Sequence, residues 1–364
     1  MSNREINVQE IDKNMIIEDL IDNFKWIMPT ESPFKLSGFL WFSQDKCYRR
    51  LPKKPMYKLS EEVDILANCT AGGQIRFRTN SSSVAVKVKL LGAANMVHMT
   101  ATGQCGFDIY AGTDEKVYYC GTTKFDHTKT EYEYTFFKMK DKLWKNIIIN
   151  FPLYQGVEQI QVGIEASAEV QAPFNYKSDK KILFYGTSIT QGGCASRPGM
   201  AYTNILSRKL NMEVINLGFS GNGKGEPEMA KLIASIENPA CLVLDYEPNC
   251  ISTDLLGKTL PEFIRIYREV HPKVPILVVS RISYAMDRYD EEISKARTER
   301  KAIQKNTVEK YKSMGDSYIY FYDGEALLGQ DFEECTVDGI HPTDLGFSRI
   351  AEGLERPLLD ILNI

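Results

Sequence analysis

The chain has 364 residues, a formal net charge of -4, and is 43% hydrophobic and 25% charged. That length favours two domains over one, and the composition is that of a folded globular chain, which excludes disordered and fibrous classes. The acidic balance also speaks against a nucleic-acid binder, which would carry a basic face.

Taken in chain order, residues 13–27 set Ile16, Ile17, Leu20, Ile21 and Phe24 at helical spacing. They predict a short amphipathic helix within an N-terminal helical segment over residues 1–30. Met1–Asn23 lacks the apolar run of a signal peptide, and no stretch of about eighteen apolar residues exists to cross a membrane. A cytoplasmic protein is the expectation, with export open if a leader has been trimmed. Arg49, Arg50, Lys53 and Lys54, beside Pro52 and Pro55, are expected to form a solvated turn. Eight scattered cysteines with no Cys-x-x-Cys pair predict free, mostly buried thiols, or disulfides should the protein be exported.

Over residues 31–175 the period becomes two. Ser83–Leu90 alternates strictly and places Val84, Val86, Val88 and Leu90 on one face of a strand. Gln74–Thr79 and Glu131–Phe136 alternate as well, and Val157–Val162 does so more loosely. Short strands between Gly, Asn, Asp and Ser turns predict an antiparallel β-sandwich of jelly-roll-like type. Lys177–Lys181 reads as a polar hinge, and residues 176–364 then alternate short apolar runs with helical stretches. The runs are Ile182–Tyr185, Val214–Leu217, Cys241–Leu244, Pro275–Ile282 and Tyr318–Tyr322. The helices fall near Ala201–Leu210, Glu228–Ile236, Leu260–Val270 and Glu291–Met314. A last helix, Leu345–Leu362, is expected to turn Leu345, Ile350, Leu354, Leu358 and Ile361 inward. This is an α/β pattern: a flavodoxin-like five-stranded parallel sheet covered on both faces.

In such a sheet, ligands bind beyond the carboxyl ends of the strands. There the first strand runs into Gly186-Thr-Ser188-Ile-Thr-Gln-Gly192, the second into Gly218-Phe-Ser-Gly221-Asn-Gly223, and the third into Asp245-Tyr-Glu-Pro-Asn249. The fifth is followed by Asp338-Gly-Ile-His341-Pro342, so every chemically suggestive group falls on one edge. A serine hydroxyl attacks only when a base takes its proton. Of the four histidines, His98 and His127 lie in the sandwich half and His271 closes a helix before Pro272. His341 remains as the base, and Asp338 can accept from its far ring nitrogen and stabilise the imidazolium. Taken alone, Asp338–His341 is equally a plain turn before a helix. The backbone N–H groups of Ser188 and Gly221 and the Asn249 amide suit an oxyanion hole, although Gly221 also suits a turn and Asn249 a helix cap.

These blocks in this order resemble the SGNH (GDSL-type) hydrolases, over about Lys181 to the C-terminus. Membership implies Ser188 as nucleophile, the Asp338/His341 pair as its partner, and Ser188, Gly221 and Asn249 as oxyanion donors. Thr187 stands where an Asp is usual, and Glu247-Pro-Asn249 where Gly-x-Asn-Asp is usual, so Asn249 departs most from the pattern. Met96–Gly103 followed by Gly106-Phe-Asp-Ile-Tyr110 is similar to the Gly-x-Asp-Leu-Tyr domain that precedes some bacterial SGNH esterases. Its role is expected to be structural, with Gly106 for a turn, Asp108 for a buried hydrogen bond and Tyr110 for the core. The alternative brings His98 or Asp108 to the rim of the site.

The resemblance implies a serine esterase acting without cofactor or metal, its substrate a small-molecule or carbohydrate ester bearing a short acyl group, acetyl first. Trp41, Phe42 and Tyr110 are candidate platforms for a sugar ring. A lipid-ester hydrolase and an inactive carbohydrate-binding protein are the alternatives. A dinucleotide enzyme is discounted because Glu226 stands where the glycine fingerprint after Gly221 and Gly223 demands glycine. No His-Glu-x-x-His or clustered His/Asp signature points to a metal hydrolase. Nothing in the sequence sets the oligomeric state.

Overall fold

The computed structural model describes residues 11–12, 24–113 and 116–364. Its first half holds β1 (Phe24–Ile27), β2 (Lys35–Ser37), β3 (Gln74–Thr79), β4 (Ser83–Leu90), β5 (Asp108–Gly112), β6 (Tyr118–Thr122), β7 (Glu131–Lys138), β8 (Lys145–Asn150), β9 (Val157–Glu165) and β10 (Val170–Gln171). They form two antiparallel sheets, ordered β1-β9-β4-β7 and β10-β3-β8-β5-β6, with β2 added on β3. Period-two alternation gives each sheet one apolar face. Val84, Val86, Val88 and Leu90 meet Ile75, Phe77, Ile147, Ile149, Ile160 and Val162 in the space between, and none is more than 3% exposed. This is the expected sandwich.

Its N-terminal edge differs from expectation. Residues 13–23 of the expected helix lie outside the described residues, and Phe24–Ile27 pair antiparallel with Glu165–Val162. Phe-Lys-Trp-Ile is rich in residues that suit a pleated surface. The edge of β9 offers it a ladder, and the Trp26 ring covers Gly163, where a Cβ would come within 2.8 Å of it. Tertiary pairing overrides the local helical spacing.

The second half is a five-stranded parallel sheet of β11 (Lys181–Gly186), β12 (Glu213–Gly218), β13 (Pro239–Asp245), β14 (Ile276–Val279) and β15 (Ile319–Tyr322), ordered β12-β11-β13-β14-β15. Its helices are α1 (Ser188–Gln191), α2 (Tyr202–Leu210), α3 (Pro227–Ala234), α4 (Thr253–Val270), α5 (Glu291–Ser313) and α6 (Asp344–Leu362). Alternate strand residues serve opposite faces. Ile182 and Phe184 pack with Tyr202 and Leu206 of α2 and Phe347 and Ile350 of α6. Leu183 and Tyr185 pack with α3, α4 and α5 through Ile233, Phe263 and Val308. Helix α6 turns Ile350, Leu354 and Leu358 inward as expected, but Leu345 is 48% exposed. The buried stripe starts at Phe347, from which Ile350, Leu354 and Leu358 follow at helical steps, and Leu345 lies off that stripe. Among the described residues, no helix is long and apolar enough to cross a membrane.

Two buried ionic groups join the halves. The Asp108 carboxylate at the start of β5 is fully buried. It accepts from Asn150 Nδ2 at 2.8 Å, from Arg197 Nη1 at 2.7 Å and from the Gly199 backbone N–H at 2.8 Å. The structural role expected for this motif is therefore present, and Gly106 makes its close turn, since a Cβ there would lie 2.5 Å from the Thr102 carbonyl oxygen. Arg50 corrects the expected solvated turn. It is 1% exposed and donates to the carbonyls of Cys69 and Leu66, each at 2.7 Å, and to those of Asn216 and Gly218 in β12. Arg49 is buried against Asp64 and Asn68, leaving only Lys53 and Lys54 in solvent. Four convergent carbonyls supply what solvent would, so the guanidinium is retained inside, although burial lowers its pKa to about 10.

Replacing Asp108 by Ala would leave the Arg197 charge, the Asn150 amide and the Gly199 N–H facing a cavity. Losing one member of a buried ionic network costs about 3–5 kcal/mol. We expect Asp108→Ala to lower the denaturant midpoint accordingly and Asp108→Asn, whose amide oxygen still accepts, to lower it by less.

Candidate active site

The loop after β11 positions Ser188. Gly186 ends the strand where a Cβ would lie 1.9 Å from Thr190 Oγ1 and 2.7 Å from the Asp245 carbonyl oxygen, so only glycine fits. Thr187 then caps α1, its hydroxyl accepting from the Ile189 N–H at 3.2 Å. Ser188 is thus the first helical residue, half-buried, with a backbone N–H that has no acceptor within the helix. Gly192, at φ +110, ends the turn, and the N–H groups of Gly192 and Gly193 donate to the Ser188 carbonyl at 3.0 and 2.8 Å.

The second group arrives on the loop before α6. Asp338 accepts from the Ile340 and His341 N–H groups at 3.1 and 2.8 Å, and Gly339 turns the chain at φ +86. The other Asp338 oxygen lies 2.8 Å from His341 Nδ1, and His341 Nε2 lies 2.9 Å from Ser188 Oγ. With the ring proton on Nδ1, the imidazole accepts the serine hydroxyl and donates to the carboxylate. Partial burial alone would raise the Asp338 carboxyl, but the hydrogen bonds from His341 and Ile340 outweigh it and hold it below the usual carboxylate range. The three expected residues therefore stand in one hydrogen-bonded chain, Ser188 to His341 to Asp338, and the Asp338–His341 turn is what brings the last two together.

The loop after β12 turns its polar groups inward, with one exception. The Phe219 carbonyl accepts from the N–H groups of Asn222 and Gly223 at 2.9 and 3.0 Å, and Gln191 Oε1 accepts from Ser220 N–H at 3.1 Å. Gly221 sits at the exposed apex with φ +68, and its N–H has no acceptor among the described residues. Asn249 Nδ2 donates one hydrogen to the Phe219 carbonyl at 3.2 Å, which leaves its second hydrogen. The amide thus crosses from the β13 loop onto the β12 loop.

Several surrounding groups carry no signal in the sequence. The Tyr154 hydroxyl, from the sandwich half, donates to the Ser188 carbonyl at 3.1 Å. Arg50 holds the Gly218 carbonyl at the root of the loop after β12, with Phe219 stacked 4.7 Å beneath its guanidinium. His98 stands edge-on to His341, ring centres 5.7 Å apart, so the motif's histidine does reach the site while Asp108 supports it from behind. His271 closes α4 and its Nε2 lies 2.8 Å from the Ala234 carbonyl, as its helix-end position implies. Cys194, at φ +77, packs near Asp338, and burial together with that carboxylate pushes its thiol up to about 12. All eight cysteines are free, five of them buried. Of the candidate sugar platforms, Tyr110 is corrected. Tyr110 is 5% exposed, lies 3.9 Å under the Arg208 guanidinium and accepts from Arg197 Nη1 at 2.6 Å. Trp41 and Phe42 pack onto the two cores.

With this geometry in place, the chain can be compared with known proteins. Residues 179–359 match the GDSL-like lipase/acylhydrolase family and residues 24–170 match the Gly-x-Asp-Leu-Tyr N-terminal domain of SGNH-hydrolase-type esterases. The chain belongs to the GDSL-like (SGNH) acylhydrolases. No curated protein matches it. A protein of Bacteroides ovatus described as a GDSL-like lipase is 29% identical with a TM-score of 0.86, over 94% of this chain and 99% of its own. The salicylyl-acyltransferase SsfX3 of a tetracycline biosynthetic pathway is 19% identical with a TM-score of 0.76, over 94% of this chain and 98% of its own. A family two carbohydrate esterase of Clostridium thermocellum, in complex with cellohexaose, is 16% identical with a TM-score of 0.57, over 80% of this chain and 93% of its own. The last two share the fold. Family membership makes the chain an acylhydrolase and its reaction class carboxylic ester hydrolysis.

Beneath α1 lies a second carboxyl. Asp245 Oδ2 accepts from Tyr202 Oη at 2.8 Å and Thr190 Oγ1 at 3.1 Å, and burial raises its pKa to about 7 despite those bonds, with Glu247 adding to the rise. The folded protein therefore keeps a proton that the unfolded chain gives up near the ordinary carboxyl value. Stability falls as pH rises between those two values, because the folded state binds more protons there. Asp245→Asn can still accept from both hydroxyls. It is expected to raise the denaturant midpoint over wild type at about pH 8 and to leave it nearly unchanged at about pH 4. Equal differences at both pH values would contradict the assignment.

Proposed function

We propose that the protein hydrolyses short acyl esters, acetyl first, of a carbohydrate, with Ser188 as nucleophile, His341 as general base and Asp338 as the carboxylate that orients it. The observation that carries this is the unbroken relay from Ser188 Oγ to His341 Nε2 at 2.9 Å and from His341 Nδ1 to Asp338 at 2.8 Å. His341 takes the serine proton as Oγ attacks the ester carbonyl, and Asp338 stabilises the imidazolium. The N–H groups of Ser188 and Gly221 and the second amide hydrogen of Asn249 receive the charge on the carbonyl oxygen. The imidazolium then protonates the departing sugar oxygen. Water, deprotonated by the same imidazole, frees the acyl group from Ser188.

Two features support a small acyl group on a carbohydrate. Gly193 lies so close to the base that a Cβ there would meet Tyr154 Oη at 2.8 Å and His341 Cδ2 at 3.3 Å, which leaves little width for a long chain beside the imidazole. The same two-domain fold is found in the carbohydrate esterase with cellohexaose named above.

A fluorophosphonate probe is expected to add to Ser188 alone, and Ser188→Ala to abolish both labelling and turnover. Peptide mapping of the adduct to any other serine would overturn the assignment. With p-nitrophenyl esters, kcat/KM should fall steadily from acetyl to octanoyl. A maximum at octanoyl would make the substrate a lipid ester instead.

A further inference from the structure

Three metal-ligating side chains meet beside the relay. One ligand atom each of His98, Cys194 and His341 lies within 4.8 Å of the other two. They come from three separate loops: the sandwich segment before β5, the loop after α1 and the loop before α6. We infer that these residues form an inhibitory site for zinc or a similar thiophilic divalent cation, and that its occupancy switches the hydrolase off by taking the lone pair of His341.

The geometry supports this at each ligand. Zinc holds imidazole nitrogen at about 2.0–2.1 Å and thiolate sulfur at about 2.3 Å, which leaves tetrahedral ligands roughly 3.5 Å apart. With the three atoms within 4.8 Å of one another, a cation asks them to close by at most about 1 Å, and the exposed His98 side chain can rotate toward it. Asp338 already accepts from His341 Nδ1, which leaves Nε2, now hydrogen-bonded to Ser188, as the nitrogen a cation would take. A carboxylate behind the far nitrogen is the usual second partner of a zinc-bound histidine. Cys194 is held in a left-handed backbone conformation. An L-residue at φ +77 costs of the order of 1–3 kcal/mol, a cost that glycine, which stands at both preceding positions, would avoid. The segment carrying His98 is anchored too, since Thr100 and Thr102 each donate to the Ser196 carbonyl at 2.7 Å.

On binding, the thiol loses its proton to solvent and His341 Nε2 exchanges the serine hydrogen bond for a bond to the cation. No electron moves. The fourth position is left to water, and Ser188 loses its base. The inhibition rests on the catalytic role proposed for His341, while the binding does not, so the two are read separately.

Calorimetric titration of the full-length, chelator-stripped protein with zinc chloride is expected to give one site per chain in wild type and in Ser188→Ala. Losing a group that only orients a metal ligand weakens binding about 10–100-fold, so losing a ligand itself should weaken it at least about tenfold. We expect that of His98→Gln, which alters an exposed residue, and of Cys194→Gly, which relieves the positive φ. Zinc should also suppress p-nitrophenyl acetate hydrolysis reversibly, at correspondingly higher concentration in both variants, each scored against its own metal-free rate. Binding in both variants as tight as in wild type, or no binding at millimolar zinc, would overturn the site. Binding without inhibition would overturn the switch. A protein that hydrolyses no ester but still binds zinc with this ligand dependence would sink the esterase proposal alone.

Discussion

One hydrogen bond, from Ser188 to His341, spans 153 residues of sequence, and the catalytic half is built so that its ends can meet. A parallel sheet brings the carboxyl ends of its strands to one edge, and helices returning on both faces leave that edge open. With β11 lying between β12 and β13, the loops after all three converge on α1. The serine loop is closely packed at Gly186, Gly192 and Gly193, where a Cβ would strike Thr190 and the Asp245 carbonyl, Leu153, and Tyr154 respectively. The His341 side is fixed by its own local turn, in which Asp338 accepts backbone and ring hydrogens at once.

The sandwich is a supporting wall for that edge. Asp108 grips Arg197 and the Gly199 N–H in the loop after α1, Tyr154 holds the Ser188 carbonyl, and Arg50 gathers the carbonyls at the end of β12. Asp108 and Arg50 are buried and Tyr154 half-buried, and each takes partners from the other half or from a set that spans both. Such groups confer position more than stability, because their desolvation offsets much of their attraction. Through them an antiparallel domain that contributes no residue to the Ser188–His341–Asp338 chain contacts the loops around it.

The folding code was legible where a single periodicity decides the outcome. Strict alternation in β4 and the apolar runs of β11 to β15 leave one solution each, and their order with intervening helices dictates a parallel sheet. Ser188, Asp338 and His341 were legible because loops at strand ends gather on one edge whatever the packing details. Phe24–Ile27 was not, since four residues compatible with helix or strand take the state that a neighbouring edge offers. Leu345 was misplaced because one residue at a helix start is assigned to a face only by the stripe that follows it.

By itself, then, the sequence determined the two architectures, their order, and the chemical types delivered to the catalytic edge, since these depend on local period and chain direction. Only the tertiary structure decided the fates of Arg50, Tyr110 and His98, which are polar or amphipathic residues without periodic context. Arg50 is buried because four carbonyls happen to converge, and Tyr110 because two arginines enclose it. His98 is at the site because Thr100 and Thr102 dock its segment onto the loop at Ser196. A polar group's place depends on partners far away in sequence, and no local pattern records where those partners will be.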